Sequence, residues 1–345
     1  MKKKVTKVLA GLLVLVLLLS GCSGNNGGNN SKNNEALNNE NGVENQGEQQ
    51  EEVKSYKVGI VQYMDHVSLE AARQGFEDEI KKSGLDVTFD YQNANGDAAL
   101  TTQIPQKFVG DKVDLIYTIA TPAAQGALNV TTDIPILFAA VTDPLGAELV
   151  DDLAQPSGNV TGVIDYMNPK TQIESFLKIY PDVKTFGVIY NTGEQNSRTQ
   201  LEELEKVANE MGLEIKAMGI SSVNDIPPTV TSLKGSMDAF FAMTDNTVAS
   251  GASLVAKELR DAKIPSLSAE EGQVKSGLLL SEGVDYYEQG VQAAKMAIKI
   301  LEGTAISEIP VEEPEKLVKV VNEETAEILG LDLTDPNFEN AEKVK

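Results

Sequence analysis

Several acidic side chains follow apolar segments that are typical of buried strands. Asp143 and Asp245 each come after such a segment, and Glu270 lies beside Glu271 in a loop. A carboxylate at a strand end can pair with an ammonium group. Both aspartates have a structural alternative, since Asp143 can begin a turn and Asp245 can cap the next helix. We favour the ligand role for Asp245, because Asn246 offers a cap without it.

Two predicted helix starts offer the opposite chemistry. Thr121 precedes a proline that suits the first position of a helix, and the N–H groups of Ala123 and Ala124 would then be free. Asn196 and Ser197 precede a second helix in the same way. Free N–H groups at the positive end of a helix dipole attract a carboxylate or a phosphate. Plain capping by Thr121 and Asn196 remains the alternative, and capping and binding can coexist.

Aromatic side chains also cluster at predicted strand ends. Tyr63, Tyr166, Tyr190 and Phe138 could stack against a flat ligand, although buried aromatic residues more often belong to a core. The chain has no Trp and only 5% aromatic residues. Four aromatic residues at strand ends therefore favour a stacking site for the ligand that some of them form. His66 follows the first predicted strand and either lines the same pocket or is exposed.

No catalytic constellation is apparent. The chain has one His and one Cys, which excludes a zinc cluster of these ligands, and it has neither a G-x-S-x-G elbow nor a phosphate-binding G-x-x-x-x-G-K-[ST] loop. Pairs of acidic residues could still do acid–base work or bind a hard cation. We therefore predict no enzyme, no metal and no cofactor.

The elements that carry these residues alternate between strand and helix. A buried strand of near-continuous apolar character is typical of a parallel sheet, and the alternation predicts helices on both faces of that sheet. The predicted strands and helices are, in order, strand 57–63, helix 68–82, strand 85–91, helix 100–110 with Pro105 inside it, strand 113–120, helix 122–129 and strand 134–140.

The same order then repeats. Residues 184–190 match the first strand, residues 238–245 match residues 114–121, and an Ile-Pro step opens the following strand in both halves. Convergent α/β patterning is the alternative. The repeat predicts two similar doubly wound parallel-sheet lobes with a hinge and a central cleft. Ligands of such sheets bind outside the carboxyl ends of the strands, which is where the candidate residues lie.

The N-terminus has the pattern of an export signal. Four lysines precede a short apolar run that ends at residue 19, and Cys22, the single cysteine, follows directly after Leu19-Ser20-Gly21. This run is too short for a spanning helix but fits a signal peptide over residues 1–21. The Leu-Ser-Gly-Cys step is similar to a bacterial lipobox, which implies that Cys22 is acylated. An ordinary signal peptide or an uncleaved anchor is the alternative.

Residues 22–54 are predicted to be a disordered tether. Residues 23–54 hold ten Asn, six Glu and only four apolar residues, which is too little apolar surface to fold. Residues 1–21 contain four Lys and no acidic residue, so their removal takes the formal net charge from −23 to −27. Such a charge argues against nucleic acid as a partner.

The chain resembles the ABC-transporter substrate-binding proteins of the TrpX type, whose lobes follow the type I periplasmic binding-protein fold. The resemblance covers about residues 55–335. Five motifs carry it: Thr121-Pro-Ala-Ala-Gln125, Phe138-Ala-Ala-Val-Thr142-Asp-Pro144, Gly158-Asn-Val-Thr-Gly162, Tyr190-Asn-Thr-Gly-Glu-Gln-Asn-Ser197 and Gly283-Val-Asp-Tyr-Tyr287. It implies a protein that binds an aromatic or other amino acid between its lobes for an ABC importer. A sugar or purine-like solute stays open, as does a sensor that signals to a membrane receptor.

The resemblance also implies partners and a domain plan. We expect an ABC permease with its ATPase, a lipid anchor on the outer face of the cell membrane, and a monomer. Three crossings near Asp165-Tyr166, Ser281-Glu282 and Pro310 would divide the chain. Residues 55–164 with 282–310 would form lobe 1, and residues 165–281 with 311–335 lobe 2. Helices are expected over residues 289–301 in lobe 1 and 317–329 in lobe 2.

Overall fold

A computed structural model describes residues 54–345. The predicted signal peptide, the acylation site at Cys22 and all but the last residue of the predicted tether lie outside the described residues. Within residues 54–345, no helix is both long enough and apolar enough to cross a membrane.

The first lobe is built on a five-stranded sheet in which all paired strands are parallel. The strand order is β2-β1-β3-β4-β5. The strands are β1 (Ser55–Gln62), β2 (Asp86–Asn93), β3 (Leu115–Ile119), β4 (Ile136–Val141) and β5 (Val160–Ile164). The connecting helices are α1 (Val67–Ser83), α2 (Leu100–Gly110) and α3 (Thr121–Leu128).

The second lobe is built on a seven-stranded sheet with the order β12-β11-β10-β9-β8-β6-β7. Its strands are β6 (Thr185–Asn191), β7 (Glu214–Ile220), β8 (Ala239–Ala242), β9 (Ser266–Glu270), β10 (Leu280–Val284), β11 (Leu317–Asn322) and β12 (Glu342–Val344). Its helices are α4 (Pro169–Leu177), α5 (Gln195–Glu210), α6 (Ile226–Leu233), α7 (Asn246–Ser250), α8 (Ala252–Ala262), α9 (Glu271–Lys275) and α11 (Glu323–Ile328).

Side-chain alternation along β8 shows how the second sheet is covered on both faces. Ala239 and Phe241 pack into a core with α4 and α5, whereas Phe240 and Ala242 pack into a second core with α6 and α8. Successive side chains of a strand point to opposite faces of the sheet, so a central strand with helices on both sides is apolar throughout. These two parallel-sheet α/β lobes confirm the predicted fold class.

The chain passes between the two sheets three times. It leaves the first sheet after β5, returns to it after β10 through α10 (Tyr286–Leu301), and leaves it again before β11. Glu312 still pairs with β5, because its N–H donates to the carbonyl of Gly162 and its carbonyl accepts from the N–H of Ile164. We propose to draw the lobe boundaries at these crossings, after Ile164, Val284 and Glu312.

Two predicted helices differ from the structure. The helix expected over residues 317–329 is wrong, because residues 317–322 form β11, which pairs antiparallel with β10. Its Leu-Val-Lys-Val-Val sequence is rich in β-branched residues, which favour a strand. By the repeat, a single helix like 122–129 is expected over Thr247–Leu254, but two helices, α7 and α8, meet there at Gly251.

Close packing between α1 and α10 generates a stability prediction. An added Cβ at Gly290 would collide with the backbone carbonyl of Ala72 in α1. We expect Gly290→Ala to lower the free energy of unfolding by about 1–3 kcal/mol, because two helix backbones must move apart. Denaturant titration measures this. Gly110→Ala is the control, since nothing lies within 4 Å of its added Cβ. Equal stability of both variants and the wild type would contradict the packing.

Candidate functional site

Side chains from both lobes meet where the strands end. The first lobe contributes His66 after β1, Thr142 after β4 and Asp165 after β5. The second lobe contributes Thr244 after β8 and Glu270 at the end of β9. These residues surround two neighbouring cavities, at the edge of the sheets where parallel α/β folds place their ligands.

The first cavity, which we name the polar chamber, is small and lies between the two lobes. His66, Asp165, Asn196, Asn246, Glu270 and Tyr286 supply its polar lining. Two carboxylates and two amides in so small a space leave little apolar surface. The polar chamber therefore suits the charged or hydrogen-bonding part of a ligand.

The second cavity, which we name the apolar chamber, adjoins the first. Its walls include six apolar side chains, Met167, Pro169, Leu204, Phe241, Met243 and Ala269. The amides of Gln172 and Gln200 and the carboxylate of Glu203 add polar groups. Asp165 and Thr244 line both chambers and therefore mark their junction.

Side-chain hydrogen bonds join the lobes across this site. The Thr142 hydroxyl lies 3.3 Å from that of Thr244 and accepts from the Gln200 Nε2 group at 3.2 Å. His66 Nε2 lies 3.3 Å from Asn246 Oδ1. The lobes also touch where Gly272 lies against Ser68, since an added Cβ there would meet the Ser68 hydroxyl. The cleft is therefore closed.

Asp165 is a carboxylate with one unused oxygen. Its side chain is 4% exposed, and Oδ2 accepts from the Tyr286 hydroxyl at 2.9 Å. Its Oδ1 has no hydrogen-bond partner among the described residues. Burial raises the pKa of Asp165 to about 6, although the neighbouring Thr142 hydroxyl and then the bond from Tyr286 offset part of the shift. An unsatisfied buried acceptor of this kind points to a donor from outside the protein.

Glu270 approaches the polar chamber from the second lobe. One of its oxygens accepts from Gln273 Nε2 at 2.7 Å. Burial raises the pKa of Glu270 to about 7, and the neighbouring hydroxyl of Ser68 on the first lobe offsets part of the shift. In the closed cleft, the carboxylate of Glu270, the second after that of Asp165, therefore lies at the beginning of α1.

His66 is held as a neutral donor. The Asn246 Nδ2 group donates to Glu194, so Asn246 Oδ1 is the acceptor that faces His66 Nε2. His66 must therefore carry its proton on Nε2. Burial lowers the pKa of His66 to about 4, against the hydrogen bond to Asn246, which raises it. The bond between the lobes is thus made by the uncharged ring.

Asp245 has a structural role in place of the predicted ligand role. Its Oδ1 accepts from the N–H of Val248 at 2.9 Å, which caps α7, and its Oδ2 accepts from the N–H of Asn191 at 2.5 Å. Burial, followed by the charge of Glu194, raises the pKa of Asp245 to about 7. It lines neither chamber, and both oxygens are used. We therefore withdraw it as the partner of a ligand ammonium.

The start of α3 likewise lacks the predicted free donors. The N–H groups of Ala123 and Ala124 both donate to the carbonyl of Ala120, at 3.1 and 3.2 Å. Ala120 has a φ of 84°, in the region that favours glycine, and this conformation turns its carbonyl toward the helix. Thr121 is buried and lines neither chamber. The proposed anion site at this helix is therefore withdrawn.

The remaining candidates divide by position. His66, Asn196 and Glu270 line the polar chamber, and Thr142 and Tyr166 line the apolar chamber. Asp143 lies at an outer mouth, which Tyr166 and Thr142 share. Phe138 is fully buried in the first core. Three further candidates, which line neither chamber, are Tyr63, Tyr190 and Ser197.

Sequence reasoning missed several residues of the site. Asp165 is predicted only as part of a crossing between the lobes. Like the other strand-end residues of the site, however, it directly follows a strand, which in its case is β5. Thr244 and Asn246 lie on either side of Asp245, the residue that the sequence predicts as the ligand contact. Gln172 and Gln200 lie within helices, where a single sequence gives no signal for a residue that faces the cleft.

Two α/β lobes that close over a lined cleft define a solute-binding protein of the type I periplasmic fold. The chain matches the family described as "ABC transporter substrate binding protein" over residues 57–345, and it belongs to that family. This confirms the resemblance seen in the sequence. The family binds solutes and is not catalytic, in agreement with the prediction of no enzyme.

Individual relatives support the same assignment. The chain is 38% identical to a tyrosine-binding protein of Clostridioides difficile (strain R20291) over 348 residues, which span 100% of this chain and 96% of the relative. A structure from Streptococcus pneumonia in complex with L-Trp has 34% identity and a TM-score of 0.80, over 85% of this chain and 100% of that one. A ligand-free, open substrate-binding protein from Clostridium difficile has 40% identity but a TM-score of 0.66, over 84% and 99%. The lower TM-score agrees with a comparison between that open structure and the closed cleft of this chain.

The raised pKa of Glu270 predicts a pH dependence of stability. Between pH 4.5 and about 7 the folded protein retains a proton that the unfolded chain has lost, so stability falls as pH rises through this window. We expect Glu270→Gln to make the fall in melting temperature between pH 5 and 8 less steep. Glu202→Gln, on an exposed face of α5, is the control for lost charge. An unchanged slope in Glu270→Gln would show that Glu270 ionises freely.

Proposed function

We propose that the protein is an exported, lipid-anchored monomer that captures an amino acid, aromatic by preference, for an ABC importer. Its ligand would lie with the ammonium and carboxylate in the polar chamber and the side chain in the apolar chamber. The observation that carries this proposal is the unpartnered, buried oxygen of Asp165 at the junction of the two chambers.

The ammonium would meet two acceptors. Asp165 Oδ1 and Asn196 Oδ1 both lack a partner among the described residues, and both residues line the polar chamber. The Nδ2 group of Asn196 donates to the carbonyl of Thr244 at 3.1 Å, which fixes its amide with the oxygen free. An ammonium has three donors and no acceptor, so it matches this pair.

The carboxylate would lie at the beginning of α1. The N–H groups of Val67, Ser68 and Leu69 have no hydrogen-bond partner within residues 54–345, as expected for the first turn of a helix. His66 and Leu69 line the polar chamber, so this helix end adjoins it. The positive end of the helix dipole favours an anion there.

The apolar chamber supports an aromatic side chain. Phe241, Met243 and Leu204 give it flat and deformable apolar walls, and thioethers make favourable contacts with aromatic rings. The amides of Gln172 and Gln200 could meet a hydroxyl or an indole N–H. A relative named for tyrosine and a neighbour that holds L-Trp support the same class of ligand.

Asp165→Asn tests the ammonium site. The asparagine can still accept from Tyr286, so the fold should be kept while the charge is lost. Removing a charge-assisted hydrogen bond costs about 1.5–3 kcal/mol, so we expect affinity for L-tyrosine or L-tryptophan to fall about 10- to 150-fold in calorimetric titration. Mass spectrometry of small molecules released from the denatured protein identifies which ligand to titrate.

Two matched variants serve as controls for Asp165→Asn. Asp143→Asn changes an acid at the outer mouth, whose Oδ1 accepts from the N–H of Gly146, and should leave affinity unchanged. Asp245→Asn keeps the cap on the N–H of Val248 but loses the acceptor for the N–H of Asn191, so we expect lower stability with ligand affinity close to that of the wild type. Loss of binding in Asp245→Asn but not in Asp165→Asn would restore Asp245 as the ammonium partner and contradict the proposal.

The lipid anchor predicts a separate result. Cys22→Ser should release the protein from the membrane while its ligand affinity and melting temperature stay unchanged, since no other cysteine exists in the chain. Cell fractionation with immunoblotting measures the release, and the soluble fraction supplies protein for titration. Processing and co-sedimentation with membranes as in the wild type would refute the lipobox interpretation.

A further inference from the structure

The charges around the polar chamber are unbalanced. Among the described residues, neither Lys nor Arg lines either chamber, whereas Asp165, Glu203 and Glu270 contribute carboxylates to their lining. Basic side chains near the cleft are committed elsewhere. Arg198 donates to the backbone carbonyls of Thr192 and Glu194, and Lys275 pairs with Glu271 at 2.9 Å.

The groups that could favour a ligand carboxylate are weak by comparison. The beginnings of α1 and α5, whose first N–H groups have no partner among the described residues, each carry the equivalent of about half a positive charge. Glu270 from the second lobe lies beside Ser68 in the first turn of α1, and above its pKa of about 7 its negative charge opposes an anion there. The amide oxygen of Asn196 faces the chamber as an acceptor, so it also offers nothing to a carboxylate.

The ammonium, in contrast, has several partners. Asp165 Oδ1 and Asn196 Oδ1 are unpartnered acceptors on residues that are 4% and 3% exposed. Each is a buried polar atom that costs free energy until a donor reaches it. A ligand with a positive charge also compensates the carboxylates of the closed cleft, whereas a zwitterion brings a negative charge along with the positive one.

We propose that this site recognises its ligand chiefly by the ammonium group and also binds primary aromatic amines that lack a carboxylate. The inference rests on the proposed function, in which the ammonium of an amino acid occupies the polar chamber. It extends that function to a second ligand class, the decarboxylated counterparts of aromatic amino acids.

The test is a titration with three ligands that differ only in their charged groups. Calorimetry of the mature wild-type protein at pH 7.5 would use L-tyrosine, tyramine and 3-(4-hydroxyphenyl)propionate. The tryptophan series of L-tryptophan, tryptamine and indole-3-propionate would be run in parallel. Loss of a charge-assisted hydrogen bond weakens binding about 10- to 150-fold. We therefore expect the amine to bind within about tenfold of its amino acid, and the acid without an ammonium to bind more than about tenfold more weakly.

Competition and mutation show whether both ligands use one site. The amine should displace the amino acid, and Asp165→Asn should weaken both by a similar factor, while Asp143→Asn should change neither. An amine that binds Asp165→Asn as well as it binds the wild type occupies another place, and that outcome would overturn the inference.

The outcomes separate this inference from the proposed function. If an amino acid binds and its amine is more than about tenfold weaker, the carboxylate is read by the site and the inference is wrong, while the proposed function stands. If neither amino acids nor amines bind in either series, the proposed function fails together with the inference.

Discussion

The hydrogen bond between Asp165 and Tyr286 links the ligand site to the hinge. Asp165 follows β5 at the first crossing between the lobes, and Tyr286 begins α10 just after the second crossing. Their contact at 2.9 Å therefore ties two of the three crossings together at the junction of the chambers. A ligand group on the free oxygen of Asp165 acts directly on the segments about which the lobes must rotate.

This arrangement explains how a ligand can favour closure. Closing buries Asp165 and Glu270 near each other without a basic side chain, and burial of unpaired carboxylates is costly. An ammonium between them removes part of that cost in the closed form alone. Differential affinity for one of two states is what shifts a conformational equilibrium. The interlobe bonds of Thr142 and His66 are uncharged and add little selectivity by themselves.

The fold was largely predictable because its signals are local. Apolar runs place β1, α1 and β2 within one or two residues of the structure, in which Gly84 ends α1 in the left-handed conformation. The failure at β11 is also local in origin. Its six residues precede a short helix, and an apolar run that continues into a helix cannot be divided by periodicity alone.

The site was less predictable, because its chemistry depends on which hydrogen bonds are already used. His66, Asn196 and Glu270 were found from their positions after strands. Position alone could not separate Asp165 from Asp245, since both follow strands. Only the structure shows that backbone N–H groups occupy both oxygens of Asp245 and leave one oxygen of Asp165 free.

The two lobes repeat one design but use it differently at the cleft. In each lobe a helix begins after the third strand of the repeat, as α3 in the first and α7 in the second. Both helix starts are satisfied internally, α3 by the carbonyl of Ala120 and α7 by the carboxylates of Glu194 and Asp245. The sites that this symmetry offers for an anion are therefore closed in both halves. Among the described residues, α1 after β1 and α5 after β6 keep their first N–H groups without a partner beside the polar chamber, which Asp165 and Glu270 also line. The duplicated scaffold thus gives one asymmetric site whose polarity is set by acids, and such a site distinguishes ligands first by their positive charge.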